Sequence, residues 1–557
     1  MDNTSADQLG IEGETARWLR EHGLNDSQQV ATDLGIEVQP IYTPADIGHI
    51  NFLNDIGYPG EYPFTRGPYP EMSRMRPWRY SVFSGFDTPE ETNKRWRFLH
   101  QAGQLAFSVV YDMPSHMGFD PDDPEVEDQV GRLGIPVSST LDIETVFKDL
   151  PLGSVPFYSN METLSPLIVA MYIAAAEKRG IPEAKLPGSI SNDPLSTAIS
   201  KSTTVFAVRP SLRLACDLIE YCCRNMPKFY PLNIKGINMS EGGGSIGQEV
   251  GFSFSNARVY VDESLRRGIP IDDLGSRITF FFGTTLHLFE EVAKYRAARR
   301  LWARLIKEEY RAENPAAMAL KFTALACPLW MQFEQPELNL VRGAIAGLAQ
   351  ALGGAQATPH PGYDEVFAIP NEHSQNLALG TQQILAEETN ITKSVDPLGG
   401  SYYVEWLTDR LEREFRNIMA EVEKRGGALK AIEAGYQKRE ILAYYTQVER
   451  EIANGKRVIV RRNKYRVAGE GDPRERLVLH ESNKDAVQSY IAQVKRLKAE
   501  RDNSQVEHCL NRIVDAARGT DNLMPYFIDA ARVYATLGEM TRALKQVFAK
   551  FESPSIV

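Results

Sequence analysis

The sequence predicts an α/β fold: a (β/α)8 TIM barrel with an N-terminal arm and a C-terminal helical extension. Three observations predict it. From about residue 78, short apolar runs alternate with helical segments of 12 to 25 residues, the pattern of repeated βα units. Eight such runs can be counted. Each also ends on polar residues or glycine, where a barrel of this kind builds its active site. An open doubly wound sheet would give the same alternation with fewer strands.

Taken in order, residues 1–60 hold an amphipathic helix (Thr15 to His22) and a proline-rich extended stretch, Val38 to Pro44, which together read as an arm. The barrel is expected over 61–420, with strands at Tyr80–Phe83, Ala106–Tyr111, Val155–Tyr158, Gly188–Ile190, Asn233–Ile237, Ile278–Phe282, Ala319–Ala324 and Ala355–Thr358. Their polar ends are Ser84, Asp112, Asn160, Asn192 with Asp193, Asn238 with Glu241, Thr284, Thr323 and His360. Leu286, Phe289, Val292, Tyr295 and Ala298 recur at helical spacing and read as a core face. Residues 421–557 are expected to form a helical linker and C-terminal segment, with breaks near Gly426–Gly427 and Ala468–Asp472.

Composition narrows the function. The 557 residues carry 62 basic and 73 acidic side chains, a net charge of −11, and 43% are hydrophobic, as in a globular enzyme rather than a disordered chain. Basic residues are dispersed, which argues against nucleic acid as a partner. Lys456 to Arg466 is the exception, and reads as a surface strand or an interdomain contact in preference to an anion-binding stretch. Five cysteines without CxxC spacing indicate neither a disulfide framework nor a metal site. With no signal-like start and no long apolar run, the expected location is cytoplasmic and not membrane-bound.

Between Tyr62 and Trp78 the chain reads YPFTRGPYPEMSRMRPW, a shaped loop in which Arg66, Arg74 and Arg76 lie among aromatic residues. Such residues suit a phosphorylated, ring-bearing ligand, and equally a loop salt-bridged to the barrel. Asp112 and His116, just past the second strand, are candidates for general acid or hydrogen-bond partner. Glu241–Gly242–Gly243–Gly244–Ser245 lacks the spacing of a P-loop. No HExxH occurs, and no GxSxG or Cys–His pairing stands in a recognisable hydrolase context.

These segments, with SGF, TPEETNKR, YDMPSHMGFD, NMPKF, SRITFFFG, FEEVAKYRAARRLWA, GYDEVFAIP and DPLGGSYYVE, resemble the large subunit of the adenosylcobalamin-dependent acyl-CoA mutases over roughly residues 40–555. The resemblance implies a barrel that threads the pantetheine arm of a CoA ester through its centre, with cobalamin across its C-terminal mouth. No DxHxxG occurs, so adenosylcobalamin is expected to be held mainly by a separate small subunit bearing that motif, in a heterotetramer of two large and two small subunits. Carried over by position, Tyr69, Met72, Arg76, Ser108, Lys228, Arg277, Thr279 and Gln356 are implied to contact CoA, and Tyr111, Met113, Glu241 and Glu365 the corrin ring.

The implied substrate pocket departs from the methylmalonyl pattern. Phe83 replaces a tyrosine, Lys201 the arginine that clamps a substrate carboxylate, Ser191 a glutamine and Asn238 a histidine; Thr323-Ala324-Leu325 and Pro359-His360 depart as well. Lysine cannot make arginine's two-pronged contact. Phe83, Lys201, Ser191, Asn238, Asp112 and His116 are therefore expected to surround a small or branched, hydroxylated or plain, acyl-CoA closer to isobutyryl than to methylmalonyl, with Asn238 on the thioester oxygen. The alternative expectation is a catalytically impaired paralogue serving assembly or regulation.

Overall fold

The computed structural model describes residues 3–24, 30–75, 77–104, 106–201, 203–467 and 471–554. Eight parallel strands form a ring: β1 (Arg79–Ser81), β2 (Phe107–Val110), β3 (Phe157–Asn160), β4 (Gly188–Ile190), β5 (Phe229–Tyr230 and Leu232–Ile234), β6 (Ile278–Thr284), β7 (Phe322–Ala326) and β8 (Ala357–Pro359). Hydrogen bonds join β2 through β5 on one side, and β5 through β8 to β1 on the other. Pro231 interrupts β5, since it has no N–H to donate, and the strand changes neighbours there. Ser84 closes the seam between β1 and β2, donating to Ser108 O at 3.1 Å and accepting from Val110 N at 2.9 Å. The approach is so close that a Cβ on Gly85, at φ +155°, would lie 2.3 Å from Val110 O.

Strand alternation divides the side chains between two environments. Along β6, Ile278, Phe280 and Phe282 pack outward with Phe254 and Trp302, while Thr279 and Phe281 face the barrel interior. The opposite wall packs Trp96, Phe107, Phe147, Phe157 and Tyr172 into one aromatic cluster. Helix Met524–Arg532 of the C-terminal segment lies against Ser165–Lys178, so that segment shares the barrel's core. Helix Tyr402–Lys424 covers Ile246–Arg266 and Leu288–Arg304 on the other side.

Boundaries moved where local chemistry intervenes. The expected fifth strand Asn233–Ile237 begins earlier, and Gly236–Glu241 is a helical turn, which places Asn238 in a helix rather than on a strand-end loop. The arm's helix runs Asn3–Glu21, followed by a small hairpin of Val30–Ala31 with Glu37–Val38. Lys456 to Arg466 makes contacts between segments: Arg457 pairs with Asp33 of the arm at 3.0 Å and Arg462 with Glu449 at 2.8 Å.

Candidate active site

TIM barrels ordinarily fill their interior with about three layers of branched apolar side chains. Here Ser81, Ser108, Ser189, Asn233, Thr279 and Thr323 occupy inward positions instead. The space they leave is a passage. A cavity of about 720 Å³ at the N-terminal end of the strands leads to a narrow section of about 50 Å³, and this to a mouth cavity of about 690 Å³ at their C-terminal ends. Arg79, Tyr158, Ser189, Asn233 and Thr323 line both of the first two; Phe83, Asn160 and Phe281 line both of the last two. The Arg79 guanidinium lies 5.1 Å from the centre of the Tyr158 ring at the narrow section.

Several sequence-predicted residues meet in these spaces. Tyr69, Met72, Thr279 and Gln356 line the large cavity, Ser108 and Ser191 the narrow section, and Phe83 the narrow section and the mouth. Tyr111, Met113, His116, Lys201, Glu241 and Glu365 line the mouth. Gln356 is already committed, accepting from Phe322 N at 2.8 Å and donating to Gly354 O at 2.7 Å. Phe83 and Phe281 lie with ring centres 6.1 Å apart and, with Ile237 and Leu325, form the apolar wall.

Others are placed elsewhere. Asp112 does not line the mouth: fully buried, it caps helix Met113–Met117 through Ser115 N at 2.9 Å and holds Gly131 N at 2.9 Å. Burial pushes its carboxyl up to about 6 despite those bonds. Arg277 turns to the end of helix Val208–Asn225, donating to Cys222 O at 2.9 Å and Met226 O at 3.0 Å, because carbonyls left open at a helix C-terminus attract a cation. Lys228 is exposed before β5, outside the cavity lining, and Arg76 lies outside the described residues. Asn238 is buried behind the mouth, its amide N–H directed at Glu162 Oε1 at 3.4 Å rather than at the cavity, and its own Oδ1 has no partner.

Two mouth residues escaped the sequence reading, Glu162 and Lys235. Glu162 follows β3 with φ +61°, a conformation costly for a non-glycine residue and most often kept where function requires it. Its Oε1 accepts from Lys201 Nζ at 3.2 Å. Burial would raise this carboxyl, but Lys201, His116 and Lys235 outweigh burial and hold it at about 2. Lys235 follows β5; its ammonium donates to Asn160 Oδ1 at 2.9 Å and lies 4.4 Å from the centre of the Phe281 ring. Burial, reinforced by Lys201, lowers it to about 8. Burial lowers His116 to about 4, so its imidazole is neutral at pH 7, and raises Glu365, with help from Asp364 and Glu241, to about 7.

Lys235 has a measurable consequence. Its pKa drops on folding from 10.5 to about 8, so below pH 8 the protonated form opposes folding, and the opposition fades as pH rises toward 10.5. Lys235→Met is therefore expected to stabilise the fold at pH 7 by about 1–3 kcal/mol, read as a rise in thermal midpoint that shrinks above pH 9. Equal stability of the two proteins across that range would refute the assignment.

Residues 31–550 match the family model of methylmalonyl-CoA mutase. The chain is 38% identical over 521 residues to the 2-hydroxyisobutanoyl-CoA mutase large subunit of Aquincola tertiaricarbonis, covering 93% of this chain and 92% of that one. It is 36% identical to the methylmalonyl-CoA mutase of Escherichia coli over 95% of this chain and 73% of that protein. With the human mitochondrial methylmalonyl-CoA mutase it shares 34% identity over 94% of this chain and 69% of that protein. This chain belongs to the methylmalonyl-CoA mutase family. As a member it is an acyl-CoA mutase of the adenosylcobalamin-dependent isomerases. No helix among the described residues is long and apolar enough to cross a membrane.

Proposed function

We propose that this mutase is the large subunit of an enzyme that moves the CoA-thioester group between adjacent carbons of a small or branched acyl-CoA. The observation that carries the reading is the passage itself, polar and narrow along the axis, and apolar where it reaches Phe83, Phe281, Ile237 and Leu325. The nucleotide end would occupy the large cavity beside Arg66, Tyr69 and Met72, and the pantetheine arm the row of Ser108, Ser189 and Thr323. The acyl group would rest on the Phe83–Phe281 wall, with Ser191 nearby.

Adenosylcobalamin fits the mouth. A broad cavity there carries Tyr111, Met113, Glu241 and Glu365 on its wall, and exposed Leu133 at its edge, a mixture suited to a large ring with an apolar face and amide arms. When bound, the cofactor supplies radical chemistry that removes a substrate hydrogen and returns it. The chain's own work is enclosure: the ring of strands excludes water, and neutral His116 offers hydrogen bonding without an added charge beside the acyl group. A separate small subunit, of the kind implied by the name of the Aquincola relative, would hold the cofactor against this face.

The test is reconstitution: the chain, a cobalamin-binding small subunit and adenosylcobalamin are mixed anaerobically with isobutyryl-, 2-hydroxyisobutyryl- and methylmalonyl-CoA. Cob(II)alamin absorbance and a rearranged CoA ester are expected with one of the first two. Neither signal with any ester would sink the enzymatic reading in favour of a paralogue that has lost catalysis.

A further inference from the structure

Glu162 and Lys235, both buried, and half-buried Lys201 form a polar group at the mouth cavity, beside the apolar wall of Phe83, Phe281, Ile237 and Leu325. Both hydrogen bonds to the Glu162 carboxylate fall on Oε1, from Lys201 and Asn238; no described residue bonds Oε2. An ammonium has three N–H donors, yet among the described residues the Lys235 ammonium has one acceptor, Asn160, and the Lys201 ammonium one, Glu162. All three side chains line the mouth cavity, Glu162 and Lys235 being 2% exposed. A closed mouth would leave one carboxylate oxygen and several N–H donors desolvated. The ligand must answer them.

Resting on the acyl-CoA reading above, we infer that Glu162 and Lys235 determine specificity by reading a hydroxyl group on the acyl chain, which donates to Glu162 Oε2 and accepts from an ammonium N–H. A hydroxyl is the smallest group that does both. A plain alkyl chain answers neither partner, and sites built to bond a substrate hydroxyl reject the analogue lacking it by large factors. A carboxylate would satisfy the ammonium groups but would face the fixed Glu162 anion, which Lys201 and Asn238 hold in place. Glu241 and Glu365 stand on the same cavity wall without a hydrogen bond to this group among the described residues.

The experiment is calorimetric titration of the full chain, without cobalamin, with isobutyryl-, 2-hydroxyisobutyryl-, 3-hydroxybutyryl- and methylmalonyl-CoA. Omitting the cofactor restricts the reading to the acyl hydroxyl, since the ribose hydroxyls of the adenosyl group are then absent. At least one hydroxylated ester is expected to bind tighter than isobutyryl-CoA by about tenfold or more, and methylmalonyl-CoA weaker than that ester. Glu162→Gln and Lys235→Met, each verified as folded by circular dichroism, are expected to bring the ratio of hydroxylated to plain ester close to one; Lys201→Gln provides a further variant should either fail to fold. Equal affinity for plain and hydroxylated esters in the wild type, tightest binding of methylmalonyl-CoA, or a preference that survives the substitutions would overturn the inference while leaving the acyl-CoA reading intact. Failure of every ester to bind would instead remove that reading and this one with it.

Discussion

Replacing Ser189 with leucine is expected to abolish acyl-CoA binding, with a loss of at least about a hundredfold in affinity, while the fold survives. Ser189 is an inward residue of β4 and lines both the large cavity and the narrow section. Leucine there restores what most barrels carry at such positions, a branched side chain filling the axis. It would project into open passage rather than into packed wall, because the 720 Å³ cavity adjoins it. The stability cost is therefore at the low end of the range for enlarged core residues, about 1 kcal/mol. A loss of a hundredfold is about 2.7 kcal/mol of binding, well beyond what a shift in the surrounding wall would produce. Titration with an acyl-CoA, beside a thermal melt and a Ser189→Ala control that leaves the passage open, checks it. Undiminished binding by the leucine variant would mean that the ester does not travel the axis.

The second large effect concerns the wall. Lys294 is fully buried between Glu249 and Glu291, with its ammonium 2.9 Å and 2.5 Å from their carboxylates and 2.6 Å from Gly283 O. Glu249 in turn accepts from Gly283 N at 2.6 Å. This group ties the C-terminal end of β6 to helices Ile246–Arg266 and Leu288–Arg304, immediately behind the mouth. Lys294→Met leaves two buried carboxylates facing each other without a cation, a loss of about 3–5 kcal/mol. The pH dependence follows in sign. Burial, which already raises Glu249, then keeps only the Gly283 N–H against it, so the folded pKa lies above the unfolded value of 4.5. A raised carboxylate favours folding when protonated and opposes it as pH rises, so the deficit is expected to be largest at neutral and alkaline pH and to shrink toward pH 4. Chemical denaturation at pH 7 and pH 4.5 measures both, and a deficit that grows on acidification would contradict the assignment.

Much of the barrel was legible because each strand is a short apolar run closed by a polar residue, and all eight expected runs overlap an observed strand. The passage residues Ser108 and Thr279 came from the family resemblance, and strand parity turns both inward. Parity stops at the strand end, and the reading failed there. Arg277 precedes β6 and answers to helix carbonyls. Asp112 follows β2 and answers to the first turn of its helix. Asn238 lies in the helix Gly236–Glu241, outside the cavity lining, and answers to Glu162. Glu162 and Lys235 were missed because their importance rests on meeting at the mouth, beyond two strand ends 73 positions apart. Lys235 did leave one signal: a single lysine inside the apolar run Leu232–Asn233–Ile234–Lys235–Gly236–Ile237, where a charged side chain is buried only when something answers it.

Threading of the ester along the barrel axis is the claim on which the rest depends, and a crystal structure of the chain with a hydrolysis-resistant isobutyryl-CoA analogue tests it most directly. The predicted result has the nucleotide in the cavity lined by Tyr69 and Met72, the pantetheine arm passing Ser189 and Ser108, and the acyl carbons on Phe83 and Phe281. An analogue bound with its nucleotide at the C-terminal mouth, or on the outer helices with the axis unchanged, would contradict it.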